Sequence, residues 1–397
     1  MITIIRGAEV YSPEHLGIKD VLIIGNKIAQ ISRDISVDLA GVVDVIEIDG
    51  TGKILTPGFI DSHVHILGGG GEGGFTTRTP EINLTDLTTA GVTTVVGCLG
   101  TDGLTRDMIS LLAKARALEE EGITSYIYTG SYRMPVKTIT GEVMKDIIVV
   151  DKIIGIGEVA ISDHRSSHPT FNEFSRDVSD IRVGGMLSGK AGIVNIHLGG
   201  GRDRLSLLDK IIKDTEIPIS QFLPTHINRN KELFNSCLEY AKKGGYIDFT
   251  GSEDPKYWED LDGEVRFSRG LKMLIEEGVS MDNFTVSSDG QGSLPLFNED
   301  KELIGLKVGK PKALIVSIKE AVFKEEIPIE IALRAVTSNP AKILKLKNKG
   351  RIEKGMDGDL CLLDAETLDI EVVIAKGKIM VENSSPLVFG TFEKNVN

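Results

Sequence analysis

Two patterns of apolar and polar positions divide the chain. Between Gly58 and Val286, short apolar runs recur at intervals of roughly 30–35 residues, each followed by a stretch with helical periodicity. The runs are GFIDSHVHI, TTVVG, SYIYTG, GIGEVAIS, GIVNIHL, ISQFLPTH, YIDFT and NFTVSSD; SLLAKARALEEEG, from Ser110, is a typical helical partner. Eight such units over about 250 residues predict an α/β fold of the (β/α)8 TIM-barrel type. Spacing alone does not close a sheet, so a doubly wound open sheet is the competing architecture.

The two ends follow the other pattern. DVLIIGNKIAQIS holds a strand, a Gly-Asn turn and a second strand, and GDLCLLDAETLDIEVVIAKGKIMVEN reads the same way. Short antiparallel strands without intervening helices at both ends predict one small β-sandwich domain, residues 1–56 with 345–397, beside a catalytic barrel of residues 57–344. In SNPAKILKLKNKG, Ser338 or Asn339 is read as a helix cap, Pro340 as the first helical position and Gly350 as a stop.

Composition narrows the function classes. The 397 residues carry a formal charge of −13, which argues against a nucleic-acid partner. No apolar run approaches about 18 residues, so no membrane span is expected. MITIIRGAEV meets an arginine and a glutamate early, so no signal peptide is expected and the cytoplasm is the expected location. Cys98, Cys237 and Cys361 are widely spaced and form no CxxC, so they are read as small buried hydrophobes rather than a disulfide framework or thiolate metal site.

Chemistry concentrates at the ends of the apolar runs. In a strand alternate side chains face the same way, so His63 and His65 point together. Glu158 lies in the fourth run, His197 ends the fifth, His226 the sixth and Asp289 the eighth. Barrel sites form at the C-terminal strand ends. Imidazole and carboxylate donors without thiolate suit zinc, manganese or iron(II), and the set is large enough for two ions bridged by a carboxylate. His164 and His168 are read as structural, and His15 as a surface residue of the small domain.

GFIDSHVHI, the single histidines of strands five and six, the aspartate of strand eight and the tail NPAKIL…KGMDGDLCLLD resemble the amidohydrolase superfamily. HVHILGGGGEGGFTTRTPEI, GCLGTDGLTR, TGSYRMP, AISDHRS, LPTHINRN and SSDGQGS narrow the resemblance to its isoaspartyl (β-aspartyl) dipeptidase branch, over nearly the whole chain. The resemblance implies two divalent metal ions, zinc foremost, in a cytoplasmic homo-oligomer acting on a small dipeptide. It implies that His63 and His65 hold one metal with Asp289, that His197 and His226 hold the second, and that Asp289 is also the general base. Tyr132 would polarise the scissile carbonyl. Glu72, Thr101, Arg165, Arg229 and Ser293 would line the substrate pocket.

One position departs from that pattern. The branch is expected to carry a carbamylated lysine on strand four as the metal bridge, and this chain has Glu158 there. Its carboxylate sits several ångströms closer to the backbone, three links shorter. The strand near Gly155 and Gly157 would have to bring the backbone inward. A β-aspartyl dipeptide carries a free α-amine and carboxylates, which Glu72 and the two arginines complement. The glycines beside Glu72 would let that loop lie against a small ligand and close over it. Two alternatives stay open: another amidohydrolase, either a cyclic amidase of dihydroorotase or hydantoinase type or an N-acyl amino-acid deacylase, and a metal-free homologue without activity. The Glu72, Tyr132, Arg165 and Arg229 set separates the first from a dipeptidase, and metal content the second.

Overall fold

The computed structural model of the chain describes residues 2–36, 45–297 and 303–393. Met1, residues 37–44 and residues 394–397, parts of the expected small domain, lie outside the described residues. So do residues 298–302 of the expected barrel.

The N-terminal strands are β1 (Ile2–Tyr11), β2 (His15–Ile24), β3 (Lys27–Ser32), β4 (Val45–Asp49) and β5 (Lys53–Pro57). The central strands follow: β6 (Phe59–Val64), β7 (Val92–Gly97), β8 (Thr124–Thr129), β9 (Ile153–Ile161), β10 (Ile193–Leu198), β11 (Phe222–Thr225), β12 (Ile247–Thr250) and β13 (Phe284–Ser287). After them come β14 (Ser293–Phe297), β15 (Leu303–Val308), β16 (Leu360–Asp364), β17 (Ile370–Ala375), β18 (Lys378–Glu382) and β19 (Ser385–Pro386).

β6 to β11 form a parallel sheet in chain order, and β12 pairs in parallel with β13. Their burial is near total, because both faces of a parallel barrel sheet are covered. The sheet curls until its last strand returns beside the first: Val64 bridges Gly290 in parallel, and the His65 amide donates to the Gly290 carbonyl at 2.8 Å. The arrangement is that of a TIM-type barrel, with helices such as Met108–Glu121 and Phe171–Ser188 outside.

Buried carboxylates mark both places where the ladder is interrupted. Between β11 and β12, Asp248 accepts from Thr225 at 2.6 Å, and from Thr285 and Ser287 of β13 at 2.5 Å each. At the other seam, Asp61 of β6 accepts from the Ser288 amide at 3.1 Å and its hydroxyl at 2.5 Å. Burial raises both carboxyls, Asp61 to about 7.

The two ends of the chain meet in one nine-stranded sheet, ordered β19-β18-β17-β16-β5-β1-β2-β3 with β4 beside β1. Ile5, Val10, Val21 and Leu55 share an apolar core with Leu360, Leu362 and Ile374. His15 is a half-exposed surface residue bonded to Glu9 at 3.0 Å.

Two local expectations change. The helix Ser338–Ile343 is capped by Thr337, not by Ser338 or Asn339, and Pro340 is its third residue; it ends well before Gly350. Asn339 is otherwise engaged: its amide donates to the Met281 and Phe284 carbonyls at 2.8 Å each, tying the helix to β13. The β14–β15 antiparallel hairpin is an element the strand–helix period does not reveal. No helix among the described residues is long and apolar enough to cross a membrane.

Replacing Asp248 with alanine would leave three buried hydroxyls without their acceptor. The expected loss is roughly 3 kcal/mol or more, read as a lower urea midpoint. An unchanged midpoint would show that the hydroxyls find other partners.

Candidate metal centre and substrate cavity

The ligand-type residues of five strands converge on one carboxylate. Glu158 is 0% exposed. Its Oε2 lies 3.3 Å from His63 Nε2, 3.0 Å from His197 Nδ1 and 3.7 Å from His226 Nε2; its Oε1 lies 3.3 Å from His65 Nε2. Asp289 Oδ1 sits 3.1 Å from His65 Nε2 and 3.7 Å from His63 Nε2.

The backbone explains how a short side chain reaches this point. Val194 and Ile196 of β10 face Ile156 and Val159 of β9, so β9 carries one extra residue at Gly157–Glu158. Such a bulge re-aims a side chain. A Cβ at Gly157 would stand 2.8 Å from the Asn195 Cβ, so only glycine allows the close approach. This is the inward displacement that a glutamate in place of a longer side chain requires.

Other side chains orient the ligands. Asn195 Oδ1 is 3.0 Å from His63 Nδ1 and Thr250 Oγ1 is 2.6 Å from His226 Nδ1, leaving each Nε2 aimed at Glu158. Tyr132 OH is 2.8 Å from His197 Nδ1. Asp163 Oδ2 lies 3.1 Å from His197 Nε2 and also accepts from Arg165 Nη2 at 2.8 Å. Neither Asn195 nor Asp163 is apparent as a site residue from the sequence, although Asn195 stands two residues before His197 on the same strand face.

The donor set fits divalent metal ions. Tetrahedral sites with bonds of about 2.0–2.3 Å place neighbouring donors roughly 3.3–3.7 Å apart, close to the spacings here. Glu158 Oε1 and Asp289 Oδ1 are buried without a hydrogen bond, acceptors aimed at the same point. Two groups of potential ligands share Glu158: His63, His65, Cys98 and Glu158, and Glu158, His197 and His226.

The charges follow from burial and neighbours. Burial opposes ionisation of Glu158, but the surrounding imidazoles outweigh it and hold its pKa well below the usual range. Asp289 is also lowered, its burial overcome by the His65 imidazole 3.1 Å away and by the histidines around it. Burial and the Arg229 charge push His226 down to about 3, so its imidazole is neutral and free to donate a lone pair. Burial, then the Glu158 charge, raises the Tyr132 phenol well above its ordinary value, so it stays protonated.

A cavity of about 420 Å³ opens beside this cluster, lined by Glu72, Thr101, Tyr132, Arg165, Arg229 and Ser293, with Asp289 at its base. Glu72 accepts from Thr101 at 2.7 Å and from Arg165 at 3.1 Å. Its carboxyl is held below the usual range despite burial, through Thr101 and then Arg165. Arg229 Nη2 lies 3.4 Å from His197 Nε2, and its buried Nε makes no hydrogen bond. All six expected pocket and phenol positions thus face one space. The glycines before Glu72 serve close packing: a Cβ on Gly68, at φ 81°, would fall 2.3 Å from the Thr79 carbonyl oxygen.

One expectation is extended and one needs correction. Cys98 is buried, as are Cys237 and Cys361, and packs in a core cluster with Ile60, Val96 and Tyr128, but its Sγ also lies 3.6 Å from His63 Nε2 and 3.8 Å from His65 Nδ1. His164 does not pack structurally; its side chain is 90% exposed at the cavity mouth, 3.6 Å from Asp163. Sequence spacing hides the first, because Cys98 belongs to a neighbouring strand end.

Residues 194–394 match the amidohydrolase family. A deacetylase of Agrobacterium fabrum is 23% identical over 371 residues, 91% of this chain and 82% of its own length. A crystal structure of β-aspartyl dipeptidase from Fervidobacterium islandicum AW-1 in complex with the β-Asp-Leu dipeptide is 47% identical, with a TM-score of 0.89 over 100% of this chain and 98% of that one. A second structure of β-aspartyl dipeptidase from the same organism is 44% identical, with a TM-score of 0.87 and full coverage of both chains. Half the chain matches the family and the whole of it follows these two structures, so this chain belongs to the amidohydrolase family, in the branch of the β-aspartyl dipeptidases.

Proposed function

We propose that this protein is a metal-dependent dipeptidase that hydrolyses β-aspartyl dipeptides to aspartate and an amino acid. The observation that carries the reading is the convergence of four histidines on the buried Glu158 at the base of a cavity walled by Glu72, Arg165 and Arg229. The β-Asp-Leu dipeptide bound by the relative at 47% identity supports the substrate class.

In this reading His63, His65 and Asp289 would hold one divalent ion and His197 and His226 a second, with the Glu158 carboxylate available to both. Zinc suits the imidazole and carboxylate donors. When bound, such ions supply a hydroxide nucleophile at neutral pH and polarise the scissile carbonyl.

The protein's own groups do the rest. Asp289, kept ionised, accepts the proton of the attacking nucleophile and passes it to the departing amine, which must be protonated to leave. Tyr132, kept protonated, donates a hydrogen bond to the carbonyl oxygen as negative charge develops there. Glu72 receives the substrate α-amine, exchanging its pairing with Arg165 for one with the ligand. Asp163 keeps Arg165 in place meanwhile, and Arg165 and Arg229 contact the substrate carboxylates. Thr101 holds Glu72 in position, and Ser293, beside Gly70, lines the same cavity. The common core at the chain ends supports a small sandwich domain from residues 1–56 and 345–397, flanking a barrel of residues 57–344. Family resemblance supports a cytoplasmic homo-oligomer.

Three measurements test this. Zinc-loaded protein should cleave β-Asp-Leu but not α-Asp-Leu, and lose the activity to a chelator; cleavage of neither isomer by metal-loaded protein would move the substrate to another amide. Tyr132→Phe should lower kcat roughly 100-fold or more with little change in KM, because the phenol acts chiefly in the transition state. A change in KM alone would contradict that role. Glu158→Ala should lose bound metal on elemental analysis; a variant with full metal content and full activity would rule out the glutamate bridge.

A further inference from the structure

We infer that Cys98 supplies a thiolate ligand to the metal held by His63 and His65. The inference rests on the metal centre of the proposed function but adds a donor which that centre does not include.

The geometry towards His63 is that of a ligand; His65 turns its Nδ1 to the thiol while its Nε2 faces Glu158 and Asp289. Cys98 lies just past the C-terminal end of β7, where its amide donates to the Val64 carbonyl at 3.0 Å and so locks the two strand ends side by side. The Sγ atom stands 3.6 Å from His63 Nε2 and 3.8 Å from His65 Nδ1. Donor atoms of Cys98, His63, His65 and Glu158 all lie within 4.8 Å of one another, and all four residues are buried. A tetrahedral ion bound through sulfur at about 2.3 Å and nitrogen at about 2.0–2.1 Å sets these donors roughly 3.6 Å apart, as found for Cys98 and His63.

A second observation is independent of the thiol. Glu158, at 0% exposure, has an Oε1 with no hydrogen bond, directed into the same group. A buried acceptor left without a donor is destabilising unless a cation completes it.

All three cysteines are buried in apolar clusters, and the thiols of Cys98 and Cys361 each lie near a backbone carbonyl, Val64 at 3.6 Å and Gly91 at 3.3 Å; what sets Cys98 apart from Cys237 and Cys361 is the histidines beside it. Neither of those two faces a group of ligands.

The consequence is an asymmetric pair of sites. With Asp289, two imidazoles, two carboxylate oxygens and one thiolate make a set of five protein donors around the first ion. The second has only Glu158, His197 and His226 among these residues. A site with four or more protein donors is closed and retentive, whereas one with three keeps a position open for the reacting groups. Soft sulfur also biases the first site towards zinc over manganese.

The test is cobalt substitution in the full chain. Protein stripped with a chelator and reloaded with cobalt(II) should show an intense near-ultraviolet band from thiolate-to-cobalt charge transfer. The band should vanish in Cys98→Ser, which keeps the weaker visible bands of cobalt bound by nitrogen and oxygen and an unchanged circular dichroism spectrum. The same variant should release one equivalent of metal to a competing chelator at least about tenfold more readily, since even outer-shell substitutions weaken metal sites about 10–100-fold. Wild-type protein that binds cobalt without the charge-transfer band overturns the proposal, and that result stands even if Cys98→Ser fails to fold. A band that persists in Cys98→Ser overturns it too. β-Asp-Leu hydrolysis, assayed in parallel, separates the outcomes: activity without the band rejects the thiolate alone, and the band without activity rejects the substrate assignment alone.

Discussion

Everything at the centre of this protein answers to one buried charge. Glu158 is an ionised carboxylate with no access to water, and desolvating such a group costs several kcal/mol unless cations and hydrogen bonds offset it. The surrounding imidazoles outweigh that cost. His226 is held neutral by burial and by Arg229, and it contributes a lone pair rather than a charge. The arrangement is a buried set of imidazole and carboxylate donors of the kind that holds a metal ion.

The barrel is built to hold that charge in place. Glu158 is short, so the strand must come to it: β9 carries an extra residue, and Gly157 lets the backbone pass close to Asn195. The seams on either side of β12 and β13 are stitched by Asp248 and Asp61, whose hydroxyl and amide partners continue where ladder pairing stops. Asn195 and Thr250 then turn the His63 and His226 rings. Each layer removes a freedom that would let the ligand atoms drift, and metal and transition-state interactions lose value steeply with such drift.

The same charges organise the cavity wall. Asp163 binds Arg165 through both its oxygens and also touches His197, so the guanidinium is fixed to the metal cluster rather than to solvent. Arg165 in turn reaches Glu72 on the glycine-rich loop. The cavity wall and the histidine cluster are therefore joined by one short chain of ion pairs. Desolvated pairs of this kind favour a ligand bearing both signs of charge at fixed separation.

The sequence by itself determined the alternation of strands and helices, the pairing of the chain ends as helix-free β segments, and most of the histidines and carboxylates that the fold brings together. Those properties are local: a period of strand then helix, and chemistry placed at the end of an apolar run, can be read without knowing what packs against what. The HxH pair is legible because side chains two apart share a strand face. Only the tertiary structure decided the rest. Cys98 is a core residue, as its sequence context implies, but its proximity to His63 and His65 is hidden because they are more than thirty positions away and meet it only when β6 and β7 pair. Asp163 and Asn195 are not marked as site residues by their motifs; the Asp163–His197 contact exists only once β9 and β10 lie side by side, and the Asn195–His63 contact only once the curled sheet brings β6 within reach of β10. The cap at Thr337 and the hairpin of β14 and β15 were decided by tertiary packing, which overrides local preference when a residue such as Asn339 is needed elsewhere. Whether Glu158 could reach the centre was likewise undecidable from composition, because it depends on a one-residue bulge whose register only the neighbouring strand defines.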